Sequence, residues 1–185
     1  MNVTVGVMGS AGGITLPLSG KDGLLDSASA LAQAIAKRKL LLLTGATTGL
    51  VYVVGKTAHD AGVFHLGISP ASDSREHVEK YKLPLDACDA IVYTGFGLKG
   101  RNVVLVRSCD VVLFIAGAMG SLNEFSIAQD EGKVIGCLTG TGGVADEVDY
   151  LLKKFSKDTG ARILQNRDPN DLLEACLAEL EKRGA

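Results

Sequence analysis

One rhythm constrains what this chain can fold into. A short unbroken apolar run is followed by a glycine-rich loop and then by a stretch with helical spacing, and the cycle repeats from end to end. The runs are Val3 to Met8, Leu40 to Leu43, Phe64 to Ile68, Ala90 to Tyr93, Val111 to Ile115 and Val134 to Leu138, with Ile163 to Gln165 a short last one. They are continuous rather than alternating, as strands are when both faces of a sheet are covered. Between the first two, Leu24, Leu25, Ala28, Leu31, Ala32 and Ile35 recur at helical spacing, with Asp26 and Ser27 as cap candidates. A second helix runs to Asp60-Ala61 and is closed by Gly62. Others reach Ser108, run from Gly117–Ser121 to about Glu131, and span Ala145 to Phe155. Asp168 caps the last helix and Pro169 takes its first position. Ser72 to Asp89 reads as a loop with a little helix. The alternation predicts a Rossmann-like, doubly wound α/β sandwich with a mostly parallel sheet, in a single domain over residues 1–185.

Composition narrows the function. Lys+Arg 19 against Asp+Glu 21 gives a net charge of −2, which disfavours a nucleic-acid-coating protein or one held to an anionic membrane. Aromatic residues are 5% with no Trp, too few for base-stacking platforms. The four cysteines lack CxxC spacing, and the three histidines lack i,i+4 spacing; reduced core thiols and no metal site are expected. Met1 to Val7 has no basic n-region, and no apolar run approaches a bilayer's span, so a cytoplasmic location is expected.

Glycine is the anomaly. The chain carries 23, where average usage would give about 13. Glycine-rich loops follow Met8 (Gly9-Ser10-Ala11-Gly12-Gly13), Leu43, Tyr93, Ile115 and Leu138. In a parallel sheet these are all carboxyl ends, so the loops gather on the edge where ligands of such sheets bind. Glycine lets backbone amides approach a phosphate, and helix N-termini add partial positive charge. The expected ligand is therefore phosphorylated or anionic. Its bed is Gly9 and Ser10, Gly45, Thr48 and Gly49, and Gly117, Gly120 and Ser121. No dinucleotide fingerprint, Walker A loop or nucleophile elbow is present.

Two segments carry a resemblance. Thr44-Gly45-Ala46-Thr47-Thr48-Gly49-Leu50 before a helix is similar to a G-G-x-x-G-L-M loop. Gly100-Arg101-Asn102, then Asp110, a strand and Gly117-Ala118-Met119-Gly120-Ser121-Leu122-Asn123-Glu124 resemble a P-G-G-x-G-T-x-x-E signature. Both belong to the LONELY GUY family, long misannotated as lysine decarboxylases. The Arg-Asn pair and the length look closer to its molybdenum cofactor carrier branch. The resemblance covers roughly Val3 to Leu138. It departs from the signature at Ala116 for Pro, Ala118 for Gly and Ser121 for Thr, and Asn123 stands where the hydrolases have an acid. If residue 118 needs a positive φ, its Cβ costs about 1 kcal/mol.

The resemblance implies Glu124 and Arg101 as the catalytic pair of a nucleoside 5′-monophosphate phosphoribohydrolase. Glu124 would stabilise charge developing at the sugar, and Arg101 would clamp the phosphate through paired donors. Asn102 would cap a helix or touch the ligand. The other reading is a non-catalytic carrier of molybdenum cofactor or a related phosphorylated ligand. Neither requires a resident cofactor; bound nucleotide, phosphate or molybdenum cofactor is what the site would hold. A decarboxylase is disfavoured, because no lysine near the loops is patterned for pyridoxal phosphate. Relatives dimerise, and Leu50 to Val54 is apolar nearly all round, so a homo-oligomer is expected, with no nucleic-acid or membrane partner.

Overall fold

Seven strands are β1 (Thr4–Gly9), β2 (Leu41–Thr44), β3 (His65–Ser69), β4 (Ala90–Tyr93), β5 (Val111–Ile115), β6 (Val134–Leu138) and β7 (Arg162–Asn166). They pair in the order β4-β3-β2-β1-β5-β6-β7, and every pairing is parallel. The computed structural model describes residues 2–11, 21–155 and 157–184, with the side chains of residues 21 and 22 excepted. Met1 and the predicted loop glycines Gly12 and Gly13 lie outside the described residues. Helices α1 (Lys21–Lys37), α2 (Gly49–Asp60), α3 (Ser74–Glu79), α4 (Gly97–Arg107), α5 (Met119–Asp130), α6 (Val148–Phe155) and α7 (Pro169–Lys182) complete the doubly wound, Rossmann-like architecture.

The unbroken apolar strands bury two cores. On one face, Val5, Val7, Leu113 and Ile115 meet Leu31, Ile35, Leu50, Val54 and Leu172 of α1, α2 and α7. On the other, Met8, Val112, Phe114 and Ile135 meet Leu105, Phe125 and Val148 of α4, α5 and α6. Successive strand residues point to opposite faces, so β5 and β6, covered on both, are buried at every position, whereas the edge strands β4 and β7 are partly exposed.

Some ends differ from the sequence expectation. Helix α1 already begins at Lys21, so Asp26 and Ser27 lie inside it; Ser27 Oγ donates to the Gly23 carbonyl at 2.8 Å instead of capping. The predicted helix from Ala145 is a 3-10 turn (Gly143–Ala145) followed by α6. At the last helix, the Asp168 carboxylate accepts from Asn170 N–H at 2.8 Å and Asp171 N–H at 3.0 Å, as expected of a cap. Gly62 follows α2 with φ +84. The apolar Leu50–Val54 turn is covered within the chain: Leu50, Val51 and Val54 are buried, and Val53 packs on the core. Among the described residues, no helix is long and apolar enough to cross a membrane.

The strand order reverses at β1. The chain steps outward from β1 to β4, and then α4 carries it back across the sheet to start β5 on the other side of β1. That reversal opens a crevice at the carboxyl ends of β1 and β5.

Candidate ligand site

A cavity of about 230 Å³ occupies that crevice. Its floor is the end of β1 with Gly9 and Ser10; its walls come from Gly45 after β2, from Arg101 and Asn102 on α4, and from Gly120, Ser121 and Glu124 on α5. Eight of the eleven residues singled out from sequence thus meet around one space. Thr48, Gly49 and Gly117 do not line it. Thr48 is the extended residue before α2, and Gly49 opens that helix with φ +75. Gly117, at φ +107, is buried behind the wall, where an added Cβ would come within 2.6 Å of Ser121 Cβ.

The loops are tied to one another. Ser10 Oγ accepts from Gly117 N–H at 3.1 Å, and the Ser10 carbonyl accepts from Leu50 N–H at 3.0 Å. Ser121 Oγ donates to the Gly9 carbonyl at 3.1 Å. From behind, Thr141 Oγ1 accepts from Ala116 N–H at 2.8 Å, and the carbonyls of Ala116 and Gly117 accept from Ala145 and Val144 N–H. Both serine hydroxyls expected to meet phosphate therefore also hold the loops in place.

Strain falls elsewhere than expected. Ala118 precedes α5 with φ −122 and ψ −152, an extended conformation that its Cβ tolerates. Ala116, at φ +53, is the strained alanine. Among the described residues no side chain caps α5 at Ala118, and its first turn, with the partial positive charge of a helix N-terminus, lines the cavity at Ala118, Gly120 and Ser121.

Arg101 and Asn102 are not loop residues. Gly97, at φ +68, opens α4 after Phe96, which puts both in the helix and buries them. Asn102 therefore caps nothing. Its amide faces Asn123 at 2.8 Å, and with its amide turned, Nδ2 donates to the Leu98 carbonyl at 3.0 Å and to Glu124 Oε1 at 3.1 Å. The Arg101 guanidinium lies on Gly45, where a Cβ would overlap Nη1. Its Nε is buried and has no hydrogen-bond partner among the described residues. Leaving such a donor unpaired costs about 1–3 kcal/mol, more when the group is charged.

Arg101 and Glu124 are each 7% exposed. Burial pushes the Glu124 carboxyl up to about 7, against the pull of Arg101 and Lys99. Burial likewise lowers Arg101, and Glu124 counters it. Lys99, from the exposed side of α4, also lines the cavity, and its Nζ sits 3.7 Å from where a Gly120 Cβ would be. Two cations and a helix N-terminus thus surround one acid, a field suited to an anion.

Sequence reasoning missed Val7, Met8, Val51 and Leu98 in the lining. Only the start of α4 could have signalled Leu98, and the two glycines there hide it. His77 does not approach the site: it is buried between Ser69 and the Pro84 carbonyl. Arg107 pairs with Glu131 at 3.4 Å, and the Asp110 carboxylate accepts from Thr4 N–H and Oγ1. All four thiols are free, and burial pushes each up to about 12. Among the described residues, no cluster of three or more His, Cys, Asp or Glu is placed to hold a metal.

Solved structures share this fold. An uncharacterized protein of Archaeoglobus fulgidus is 29% identical over 108 residues, 58% of this chain and 66% of its own length. The chain therefore spans just under two thirds of that relative. The X-ray structure of TM1055 superposes with a TM-score of 0.81 at 24% identity, covering 96% of this chain and 99% of that one. The molybdenum cofactor binding protein of Rippkaea orientalis does so with a TM-score of 0.76 at 24% identity, covering 97% and 98%. A model of the SLOG cluster4 family matches residues 2–173, from β1 into α7 and across every wall of the cavity, and the chain belongs to that family.

Proposed function

We propose that this protein binds a phosphorylated nucleotide or nucleotide-like cofactor in the cavity at the β1/β5 crevice. The phosphate rests on the first amides of α5, with Arg101 and Lys99 on its flanks. The observation that carries this is the buried Arg101 Nε, unpartnered among the described residues, in the same cavity wall as the first turn of α5, which no described side chain caps. A phosphate oxygen supplies the missing acceptor, and charge-assisted bonds of this kind are the strong ones. The likeness to the molybdenum cofactor binding protein of Rippkaea orientalis supports a ligand of this class. Thermal shift with adenosine monophosphate, ribose 5-phosphate and inorganic phosphate tests it. A saturable rise in Tm is expected, because a ligand that binds only the folded state stabilises it. No rise with any of them contradicts it.

A second reading, the LONELY GUY-type hydrolysis of a nucleoside 5′-monophosphate to base and ribose 5-phosphate, is favoured by Glu124 in the cavity wall. There the ionised carboxylate would stabilise the oxocarbenium-like state as the base leaves. Asn123, bonded to Asn102 where the hydrolases carry a second acid, supports the carrier reading instead. Chromatography of purified protein incubated with adenosine monophosphate separates the two. Hydrolysis requires free adenine from the wild type and a loss of orders of magnitude in Glu124→Gln; a carrier releases none.

The twofold dimer also stays a proposal. Since α2 is covered within the chain, the dimer's apolar surface would be the exposed Phe96, Leu98, Met119 and Tyr150, of which Leu98 also lines the cavity. Light scattering that shows only monomer at micromolar concentration contradicts it.

A further inference from the structure

Two buried histidines repeat one arrangement at neighbouring strand ends. The last residue of β2 is Thr44 and the last of β3 is Ser69. Thr44 Oγ1 lies 2.8 Å from His65 Nε2 and accepts from Ala46 N–H at 3.2 Å. Ser69 Oγ lies 2.8 Å from His77 Nδ1 and accepts from Ala71 N–H at 3.1 Å. The far nitrogen of each ring meets a backbone carbonyl, His65 Nδ1 that of Ala87 and His77 Nε2 that of Pro84 at 3.0 Å.

A carbonyl only accepts, so the nitrogen facing it carries the proton. In a neutral ring the other nitrogen is then an acceptor, and the hydroxyl must donate to it. With its hydrogen committed, each hydroxyl presents a lone pair to the amide two residues on. Each ring thus fixes the turn that leaves its strand. Burial lowers His65 and favours the neutral ring. Gly55 permits the close approach: a Cβ there would stand 2.5 Å from His65 Cε1.

Both turns support Arg101. The turn after Thr44 contains Gly45, on which the guanidinium lies, and Ala46 held at φ +47. The turn after Ser69 accepts from Gly95 N–H at Ala71 O (2.8 Å) and from Gly97 N–H at Pro70 O (3.0 Å), where α4 begins. We infer that His65 and His77 are positioning residues of the ligand site: through Thr44, His65 sets the bed under the Arg101 guanidinium, and through Ser69, His77 sets the start of the helix that bears it. The consequence for affinity rests on the ligand-binding reading above.

The test combines nitrogen-detected imidazole spectra of the wild type with Thr44→Val, Thr44→Ser, Ser69→Ala and a distant control, Asp168→Ala. The wild type should show His65 protonated at Nδ1 and His77 at Nε2; the opposite tautomers overturn the inference whether or not any variant folds. Thr44→Val should shift the Arg101 Nε–H resonance and weaken adenosine monophosphate binding about tenfold or more, Ser69→Ala should move both in the same sense, and Thr44→Ser should restore them. Asp168→Ala should lower Tm yet leave both readouts unchanged. Loss of Tm alone in Thr44→Val and Ser69→Ala, with resonance and affinity as in the wild type, overturns it. If the wild type binds no adenosine monophosphate, the ligand-binding reading fails, and the Arg101 resonance in the same variants still decides the relay.

Discussion

Gly45→Ala probes the contact on which the site is built. Gly45 is buried, and its φ is not in the left-handed region, so the backbone accepts alanine without strain. The added methyl overlaps Arg101 Nη1, with the guanidinium carbon 2.5 Å away. The guanidinium, as the free end of a long side chain, must leave its bed. Overpacking costs about 1–3 kcal/mol, and a movable neighbour puts this case at the low end. For a chain of this size, 1 kcal/mol is about 2–4 °C in Tm. Binding suffers more. A charge-assisted hydrogen bond contributes about 1.5–3 kcal/mol, so losing Arg101's grip should weaken adenosine monophosphate about ten- to a hundredfold. Calorimetric titration beside a thermal melt reads both quantities. Wild-type affinity in a folded Gly45→Ala protein would refute the role given to Arg101.

Glu124→Gln should alter the pH dependence of stability. The folded carboxyl titrates at about 7 against an ordinary 4.5, so over that window the folded state holds more proton than the unfolded one. Wild-type stability is free of this penalty below 4.5, falls as pH rises through 7, and stays lower above by roughly 3 kcal/mol. The variant should melt several degrees higher at pH 8 and follow a flatter curve from pH 5; parallel curves contradict this. Ala116→Pro should lose about 3 kcal/mol or more, because proline cannot take φ +53 and has no N–H for Thr141 Oγ1. A melt within 2 °C of wild type, a shift of under about 1 kcal/mol, contradicts the conformation of the loop.

The sheet was legible because continuous apolar runs alternating with helical spacing suit parallel strands covered on both faces, and that alternation put the loops on one edge. The loops around Gly9, Gly45 and Gly120 were found for that reason. The start of α4 was not. Gly97 and Gly100 read as loop, yet Gly97 opens the helix at φ +68, and Gly100 only avoids Phe96, where a Cβ would come within 2.8 Å. Arg101 and Asn102 therefore read as residues leading into a helix, when both lie buried within it. Ala118 drew attention by analogy with a glycine, but a residue's place in a motif does not give its φ, and the strain sits two residues earlier. The histidine relays have no sequence spacing at all, since Thr44, His65 and Ala87 meet only through strand pairing and a distant loop.

Amide-resolved NMR of labelled protein titrated with adenosine monophosphate measures directly whether phosphate sits on the N-terminus of α5 beneath Arg101. Phosphate there should give saturable shifts at the amides of Gly120 and Ser121 and at Arg101 Nε–H, all following one binding curve. Shifts confined to residues away from the β1/β5 crevice, or none up to millimolar ligand, would contradict it.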